Sequence, residues 1–269
     1  MPASNTPAPT QGFLDVAGQR LAWTRWGPPP EAGPTLVLLH EGLGSVSLWR
    51  DLPERLVAAT GLGVFAWSRA GYGQSSPRPA PPWPLTYLHD EALRCLPQVL
   101  DKAVPGPHYL IGHSDGASIA LLYAGTVPDP RVRGLVLVAP HVVVEPMCVA
   151  AIAHTGTLYE TTDLRARLAR HHGAKTDDTF WGWNGAWRDP LFATWDLRIA
   201  LRGLTRPVLV VQGDDDAYGT ALQPALVRRH CAGPVSVAFL PACGHGPHRD
   251  QPDALVALIA AHVAHGEAR

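Results

Sequence analysis

Short apolar runs recur along the chain, and a stretch with helical spacing follows most of them. The first two runs alternate apolar and polar residues, as an antiparallel edge pair does, whereas the later runs are continuously apolar and rich in Val, Leu and Ile. The predicted strands are 14–16, 21–25, 35–40, 64–67, 109–112, 135–138, 208–212 and 235–240. The predicted helices are 52–59, 88–102, 117–126, 221–230 and 253–264. This alternation predicts an α/β protein with a doubly wound, mostly parallel eight-stranded sheet.

One connection breaks the alternation. The segment 140–206, between the sixth and seventh predicted strands, is far longer than the few residues that usually join such elements. Residues 154–172 within it have helical spacing. We therefore expect a core domain made of residues 1–139 and 207–269, with a helical cap formed by residues 140–206.

The predicted cap is rich in tryptophan. Four of the nine tryptophans lie in it, namely Trp181, Trp183, Trp187 and Trp195. A small cap cannot fully bury such large rings, so Trp181, Trp183 and Trp187 are candidates to line a pocket for an apolar or aromatic group. The alternative interpretation is that they pack the cap onto the core.

Composition narrows the class of protein. A chain of 269 residues with 46% hydrophobic content suits one large domain with an insertion. The net charge of −1 and scattered basic residues argue against a nucleic-acid partner. No apolar stretch approaches the roughly 20 residues that span a bilayer, which argues against a membrane protein. Residues 1–10 predict an irregular leader and no export signal, so we expect a cytoplasmic protein.

The cysteines and the remaining composition imply no bound group. The four cysteines are widely spaced and form no Cys-x-x-Cys motif, which favours free thiols over a disulfide framework or a zinc site. We therefore expect no metal and no cofactor. No feature of the sequence indicates the oligomeric state.

The pentapeptide Gly112-His113-Ser114-Asp115-Gly116 is the strongest chemical signal. It joins a predicted strand to a predicted helix, and a serine at the apex of such a tight turn has strained backbone angles that small neighbours make tolerable. A serine hydroxyl is a weak nucleophile at neutral pH, so it needs a base within hydrogen-bond reach and a third group that orients the base.

Two later loops supply candidates for both groups. The strand 208–212 leads into Gly213-Asp214-Asp215-Asp216, and the strand 235–240 leads into a loop with Gly244-His245 and His248. Because the carboxyl ends of parallel strands meet at one edge of a sheet, we expect these loops to converge with the serine turn. The residues alone do not show which of Asp214, Asp215 and Asp216 is the group that orients the base.

These motifs resemble the serine hydrolases of the α/β-hydrolase superfamily, over about residues 12–263. The resemblance is carried by the serine turn, the acid loop, Gly244-His245, His40-Glu41-Gly42-Leu43-Gly44, and the segment 68–75. It is greatest to the esterase-type branch with a lid after the sixth strand. It implies that Ser114 is the nucleophile, that His245 rather than His248 is the base, and that Asp216, three residues after the loop glycine, orients the base.

The resemblance also implies an oxyanion hole made by the backbone N–H groups of Gly42 and Asp115. Two residues depart from the family pattern. Glu41 replaces the usual glycine, and we expect its side chain to turn outward or form a structural hydrogen bond. Asp115 stands where the family often has an apolar residue, so its carboxylate receives a cationic or hydroxylated substrate group or bonds to neighbouring backbone. Glu41, Leu43 and His141 complete the predicted pocket.

The predicted activity is hydrolysis of a carboxylic ester of a small to medium, apolar or aromatic molecule through an acyl-enzyme on Ser114. Cleavage of a carbon–carbon bond, a lactone or an amide by the same residues is an alternative, since fold and triad do not choose among them. Epoxide hydrolases and haloalkane dehalogenases of the superfamily use an aspartate nucleophile at this turn, so Ser114 argues against both. A non-catalytic ligand receptor is the alternative from a different class.

Overall fold

A computed structural model describes residues 8–268. The strands are β1 Thr10–Val16, β2 Gln19–Trp26, β3 Thr35–Leu39, β4 Gly63–Trp67, β5 His108–His113, β6 Val132–Val138, β7 Val208–Gly213 and β8 Val235–Leu240. The α-helices of this part of the chain are α1 Leu52–Thr60, α2 Tyr87–Asp90, α3 Leu96–Ala103, α4 Asp115–Thr126, α5 Pro146–Thr161, α6 Leu164–His172, α7 Thr176–Arg188, α8 Arg198–Leu201, α9 Leu222–His230, α10 Pro247–Asp250 and α11 Pro252–Glu267.

The strands form one sheet in the order β1-β2-β4-β3-β5-β6-β7-β8. The pairs β1–β2 and β2–β4 are antiparallel, and all other neighbours are parallel. This confirms the predicted fold class and the antiparallel edge pair. At the opposite edge, β8 is only partly buried, which differs from the fully buried strand expected from its apolar sequence, because an edge strand has a sheet neighbour on one side only.

Several boundaries differ from the predicted ones. β1 begins at Thr10, the last residue of the predicted leader, whereas residues 1–7 of that leader lie outside the described residues. The predicted helix 154–172 is two helices, α5 and α6, because Thr162 between them has an extended backbone. The predicted helix 88–102 contains a π-helical turn, Glu91–Cys95, between α2 and α3.

The core lies on both faces of the sheet. Side chains alternate between the two faces along β5, so Leu110 belongs to one apolar cluster, whereas Tyr109 and Ile111 belong to the other. The first cluster is shared with α3, α4 and the helices between β6 and β7, and the second with α1 and α11. Helices on both faces bury the central strands and leave the carboxyl ends of β3 and β5 to β8 to form one crevice.

Helices α5 to α8 lie between β6 and β7, in the segment predicted to form a cap. Side chains of this segment bond to the core loops. His172 donates from Nε2 to the Leu43 carbonyl (3.0 Å) and accepts the Gly73 N–H at Nδ1 (3.0 Å). Thr179 donates to the Gly71 carbonyl (2.6 Å). The division into two domains stays a prediction.

None of the helices within residues 8–268 has both the length and the apolar character that crossing a bilayer requires.

Candidate active site

Ser114 occupies the sharp turn between β5 and α4. Its backbone angles, φ 53° and ψ −118°, lie in a region that residues with a side chain rarely adopt. The flanking glycines permit the turn, because a β-carbon at Gly112 would collide with the carbonyl of Gly116, and one at Gly116 with the carbonyl of Leu39. The strand, turn and helix therefore present the Ser114 hydroxyl at the carboxyl edge of the sheet.

Ser114, His245 and Asp216 form one hydrogen-bonded line, although each comes from a different strand end. The Ser114 Oγ lies 2.9 Å from His245 Nε2. His245 Nδ1 lies 2.9 and 2.8 Å from the two carboxylate oxygens of Asp216. A carboxylate accepts, so Nδ1 carries the proton and Nε2 accepts the hydroxyl proton of Ser114.

The surroundings of Asp216 keep it ionised. Oδ2 accepts from the Gln212 amide (2.6 Å) and Oδ1 from the Tyr218 N–H (2.8 Å). Burial raises the pKa of Asp216, but its hydrogen bond and attraction to His245 outweigh burial and leave the pKa below its usual value. Burial lowers the pKa of His245, although the Asp216 carboxylate opposes the change. His245 is therefore neutral and ready to accept a proton near pH 7.

The rival residues from the same loops lie elsewhere. Asp214 and Asp215 are exposed, whereas Asp216 is 7% exposed. His248 is buried beside Trp49 and His113, with ring centroids 5.4 and 5.0 Å away.

The loop after β3 is held by buried polar groups. His40 donates from Nδ1 to the Glu41 carbonyl (2.8 Å) and accepts the Arg69 N–H at Nε2 (3.1 Å). The Arg69 guanidinium also donates to the Glu41 carbonyl (3.0 Å) and so braces this loop from the segment after β4. The Trp183 ring packs so closely on Gly42 that a β-carbon there would collide with it.

The two residues expected to form the oxyanion hole, Gly42 and Asp115, both lie beside Ser114. Asp115 is the first residue of α4, and the N–H groups of the first helical turn have no partner within the helix. Both Asp115 and Gly42 line the same cavity as Ser114. Within residues 8–268, neither N–H donates to a backbone acceptor outside the regular elements.

Glu41 turns towards His113 rather than into solvent. One of its carboxylate oxygens lies 3.5 Å from His113 Nδ1, and its side chain is 21% exposed at the cavity. Burial raises the pKa of Glu41, but its contact with His113 brings the pKa well below its usual value. His113 in turn donates from Nε2 to the His245 carbonyl (2.6 Å) and thereby ties the Ser114 turn to the His245 loop.

Asp115 bonds to side chains of two helices, not to neighbouring backbone. Its carboxylate accepts from the Tyr87 hydroxyl (2.7 Å) and from the Trp187 indole N–H (3.2 Å), and Arg69 lies 3.9 Å away. Trp187 also donates to the Tyr87 hydroxyl (2.8 Å). Burial raises the pKa of Asp115 although Arg69 and these donors oppose it. The carboxylate therefore connects the Ser114 turn to α7.

A cavity of about 320 Å³ opens above Ser114. Five of the six predicted pocket residues line it, namely Glu41, Leu43, His141, Trp183 and Trp187. Trp181 does not. Its ring packs against Tyr159 and Phe180 with centroids 5.6 and 4.9 Å away. Residues four apart share a helix face, as Trp183 and Trp187 do, whereas a residue two positions before Trp183 points elsewhere.

His141 is a buried polar group inside this cavity. It is 2% exposed, its ring lies 5.7 Å from the His245 ring and 4.9 Å from Trp187, and its Nδ1 has no hydrogen-bond partner among the described residues. Burial lowers the pKa of His141 to about 3, so the imidazole is neutral. Ser118, one turn after Ser114, donates to its carbonyl (2.7 Å) and fixes its backbone.

Several lining residues were missed by sequence reasoning. They are Leu48, His113, Ile152, Thr155, Leu158, Leu164, Arg167, Leu168, Tyr218 and Arg249. For Ile152, Thr155 and Leu158, spacing of three along α5 was an available signal. Tyr218 follows Asp216 by two residues, but nothing local shows that its hydroxyl meets Thr155 (2.7 Å).

Within the part of the chain that the structure describes, no group of three or more His, Cys, Asp or Glu side chains is arranged to hold a metal ion.

Comparison with known proteins assigns the class. The sequence model of the alpha/beta hydrolase family matches residues 36–258, so the chain belongs to this family. The match confirms the resemblance of the sequence motifs to the α/β-hydrolase superfamily.

Two curated relatives align with less than half of this chain. The chain is 32% identical over 124 residues to Epoxide hydrolase B of Mycobacterium tuberculosis, which covers 46% of this chain and 33% of that protein. It is 32% identical over 122 residues to Lipase LipV of the same organism, covering 45% of this chain and 42% of that protein. The alignments thus span less than half the length of these curated relatives.

Among solved structures, a hydrolase from Pseudomonas aeruginosa PA01 has a TM-score of 0.72 to this chain at 22% identity, covering 97% of this chain and 99% of that one. A likeness at this identity shows the shared fold.

Proposed function

We propose that this chain is a serine hydrolase that cleaves a carboxylic ester of a small to medium molecule through an acyl-enzyme on Ser114. The observation that carries the proposal is the line of hydrogen bonds from the Ser114 hydroxyl through His245 to the ionised Asp216. Family membership and the names of the relatives support hydrolase activity. Because the residue at the turn is a hydroxyl nucleophile, the proposal follows the lipase rather than the epoxide hydrolase.

In the first half of the reaction, Ser114 Oγ attacks the ester carbonyl while His245 Nε2 accepts its proton. The carbonyl oxygen becomes negative and receives hydrogen bonds from the N–H groups of Gly42 and Asp115. Measured losses for removal of one such donor are about 3 to 4 kcal/mol of transition-state free energy. Asp216 stabilises the imidazolium, which then protonates the leaving alcohol.

In the second half, a water molecule takes the place of the alcohol. His245 Nε2 accepts a proton from the water as its oxygen attacks the acyl carbon, and the same two N–H groups stabilise the second tetrahedral oxyanion. Collapse of this intermediate returns the proton to Ser114 Oγ and releases the acid. No step requires a cofactor.

The cavity supports a substrate with an apolar portion. Its walls include Leu43, Ile152, Leu168, Trp183 and Trp187. Removal of such side chains from water on substrate binding is favourable by about 25 cal/mol per Å² of apolar surface. A panel of aryl esters of increasing acyl length, with lactones, amides and vinylogous keto acids included, distinguishes esterase activity from the alternatives.

The decisive experiment compares Ser114→Ala with Ser118→Ala. Ser118 lies in α4, one turn after Ser114, and is buried, so it is a matched control for loss of a serine near the site. We expect Ser114→Ala to abolish turnover of short activated esters and labelling by a fluorophosphonate, and Ser118→Ala to be labelled. Labelling of Ser114→Ala at the wild-type rate, or saturable ester binding by wild type without product release, would overturn the proposal.

A further inference from the structure

The cavity above Ser114 has an apolar interior and a positively charged rim. Its inner wall contains Ile152 and Trp187, each 1% exposed, and Leu168, which is 8% exposed. Two arginines also line the cavity, and both are exposed, so they lie at its mouth. Arg167 comes from α6 of the segment between β6 and β7, and Arg249 comes from α10 of the core. We call these two residues the arginine rim.

Arg249 lies beside the loop that carries His245. Its guanidinium rests against Gly246, the residue after His245, where a β-carbon would collide with it. Within residues 8–268 it forms no ion pair, and the adjacent Asp250 instead accepts the Gly244 N–H (2.9 Å). Among the described residues, the only ion pair of Arg167 is with Asp163, at 3.4 Å, and both of these side chains are more than half exposed. Such an exposed pair holds its partners weakly, so both guanidinium groups are available to a ligand.

The negative groups of the cavity are already committed to protein partners. Glu41 lies 3.5 Å from His113, and Asp115 accepts from Tyr87 and Trp187. Glu41 belongs to the loop that carries the oxyanion donor Gly42, and its charge would repel an anion that lay beside that donor. The charges therefore orient a substrate anion towards the mouth.

We propose that the arginine rim binds a carboxylate carried by the substrate at the end remote from the scissile bond. The preferred substrates would then be esters whose apolar acyl chain ends in a carboxylate, with the chain against the inner wall and the anion between Arg249 and Arg167. Guanidinium groups bind carboxylates through paired N–H donors, which gives both attraction and orientation. The inference deepens the proposed esterase function and rests on it.

Two other arginines of the segment between β6 and β7 lie away from the cavity. Arg188 and Arg198 lie in the predicted cap, but Arg188 contacts Asn184 at 3.4 Å, and Arg198 pairs with Asp196. Neither lines the cavity.

The test compares two substrates of matched length, the mono-4-nitrophenyl ester of adipic acid and its neutral methyl diester analogue. The measured quantity is the ratio of kcat/KM for the anionic ester to kcat/KM for the neutral ester. This ratio does not depend on the fraction of active protein, so a partly unfolded variant still gives a valid value. The variants are Arg249→Gln, Arg249→Lys, Arg167→Gln and the double glutamine variant, with Arg229→Gln, an exposed arginine of α9, as the control for net charge.

We expect Arg249→Gln to lower the ratio about 1.5- to fivefold, the range for charge contacts at an exposed site, and the double variant to lower it further. Arg249→Lys should retain most of the preference because the charge remains. Raising the salt concentration to about 1 M should bring the wild-type ratio close to that of the double variant, because the Debye length then falls to about 3 Å. Arg229→Gln should leave the ratio unchanged.

An unchanged ratio in the double variant would overturn the inference, as would an equal fall in Arg229→Gln, which would reveal only an effect of net charge. Neither result bears on the proposed function if hydrolysis of the neutral ester still requires Ser114. Conversely, hydrolysis of both esters by Ser114→Ala would refute the proposed function itself.

Discussion

The buried carboxylate of Asp115 offers a quantitative test of how the Ser114 turn is joined to α7. Asp115 is 1% exposed and accepts from Tyr87 and Trp187, with Arg69, itself 2% exposed, 3.9 Å away. The perturbations are Asp115→Ala, which removes the acceptor, and Asp115→Asn, which keeps one oxygen and removes the charge. Tyr87→Phe removes the main donor from the other side.

The magnitude follows from the partners left behind. In Asp115→Ala the Tyr87 hydroxyl loses an ionised acceptor, a contact of about 1.5 to 3 kcal/mol. The Trp187 N–H keeps the Tyr87 oxygen at 2.8 Å, so it contributes little to the loss. Arg69 retains bonds to carbonyls but loses its nearby carboxylate, and breaking a buried ion pair costs about 3 to 5 kcal/mol when the pair is close. Because Arg69 and Asp115 are 3.9 Å apart, their pair is looser than a close ion pair. We therefore expect Asp115→Ala to lower the free energy of unfolding by about 4 kcal/mol in total.

Equilibrium unfolding in urea measures these changes as shifts in the free energy of unfolding. Asp115→Asn should lower the free energy of unfolding by about 2 kcal/mol. The control is Asp214→Asn, at an exposed residue of the loop after β7, which should change the free energy of unfolding by less than about 0.5 kcal/mol. The losses of Asp115→Asn and Tyr87→Phe should fall short of additivity by about 1 kcal/mol in the double variant. Wild-type stability in Asp115→Asn, or full additivity, would refute this account of the contact.

Two predictions concern pH. His245 must be neutral to accept the Ser114 proton, and burial lowers its pKa, so kcat/KM for a neutral ester should rise with pH to a plateau through a midpoint below the usual value of about 6.5. Asp216→Asn should lower kcat by about 10³- to 10⁴-fold because the imidazole loses its orienting partner. A wild-type midpoint above about pH 7 would contradict the role assigned to His245. A fall in kcat of less than tenfold in Asp216→Asn would contradict the role assigned to Asp216. His172 needs a neutral ring to accept the Gly73 N–H, and burial lowers its pKa to about 4. Its contribution to folding is therefore fully present above its unfolded pKa of about 6.5 and is lost as pH falls towards about 4, by at most about 1.4 kcal/mol per pH unit. His172→Gln should show a smaller fall in unfolding free energy between about pH 7 and about pH 5 than wild type, and an equal fall would exclude this role.

The sheet and the serine turn could be predicted because their signals are local. Strands such as β3 and β7 are buried along their whole length, so their apolar runs are continuous. The turn at Ser114 requires glycine on both sides within five residues, and that requirement is visible in the sequence. Helix boundaries were less accurate where an interruption depends on one residue, as at Thr162 between α5 and α6.

Trp181 was expected to line the pocket, but its ring packs on Tyr159 instead. Spacing along the helix alone does not determine which tryptophans reach the cavity. A helical pattern separates Trp181 from the face of Trp183 and Trp187, but it does not say which face meets the cavity. That choice depends on how α7 sits on the core, where Trp183 packs on Gly42 and Trp187 bonds to Asp115.

The sequence by itself determined the class of fold and the three residue types that meet at the strand ends, because burial pattern and turn strain are properties of short segments. Only the tertiary structure decided that Asp216 is the buried acid, that Glu41 faces His113, and that Arg249 has no carboxylate partner among residues 8–268. The physical reason is that a polar side chain is satisfied by whichever donors and acceptors distant parts of the chain bring within about 3 Å of it, and no local pattern records that distance.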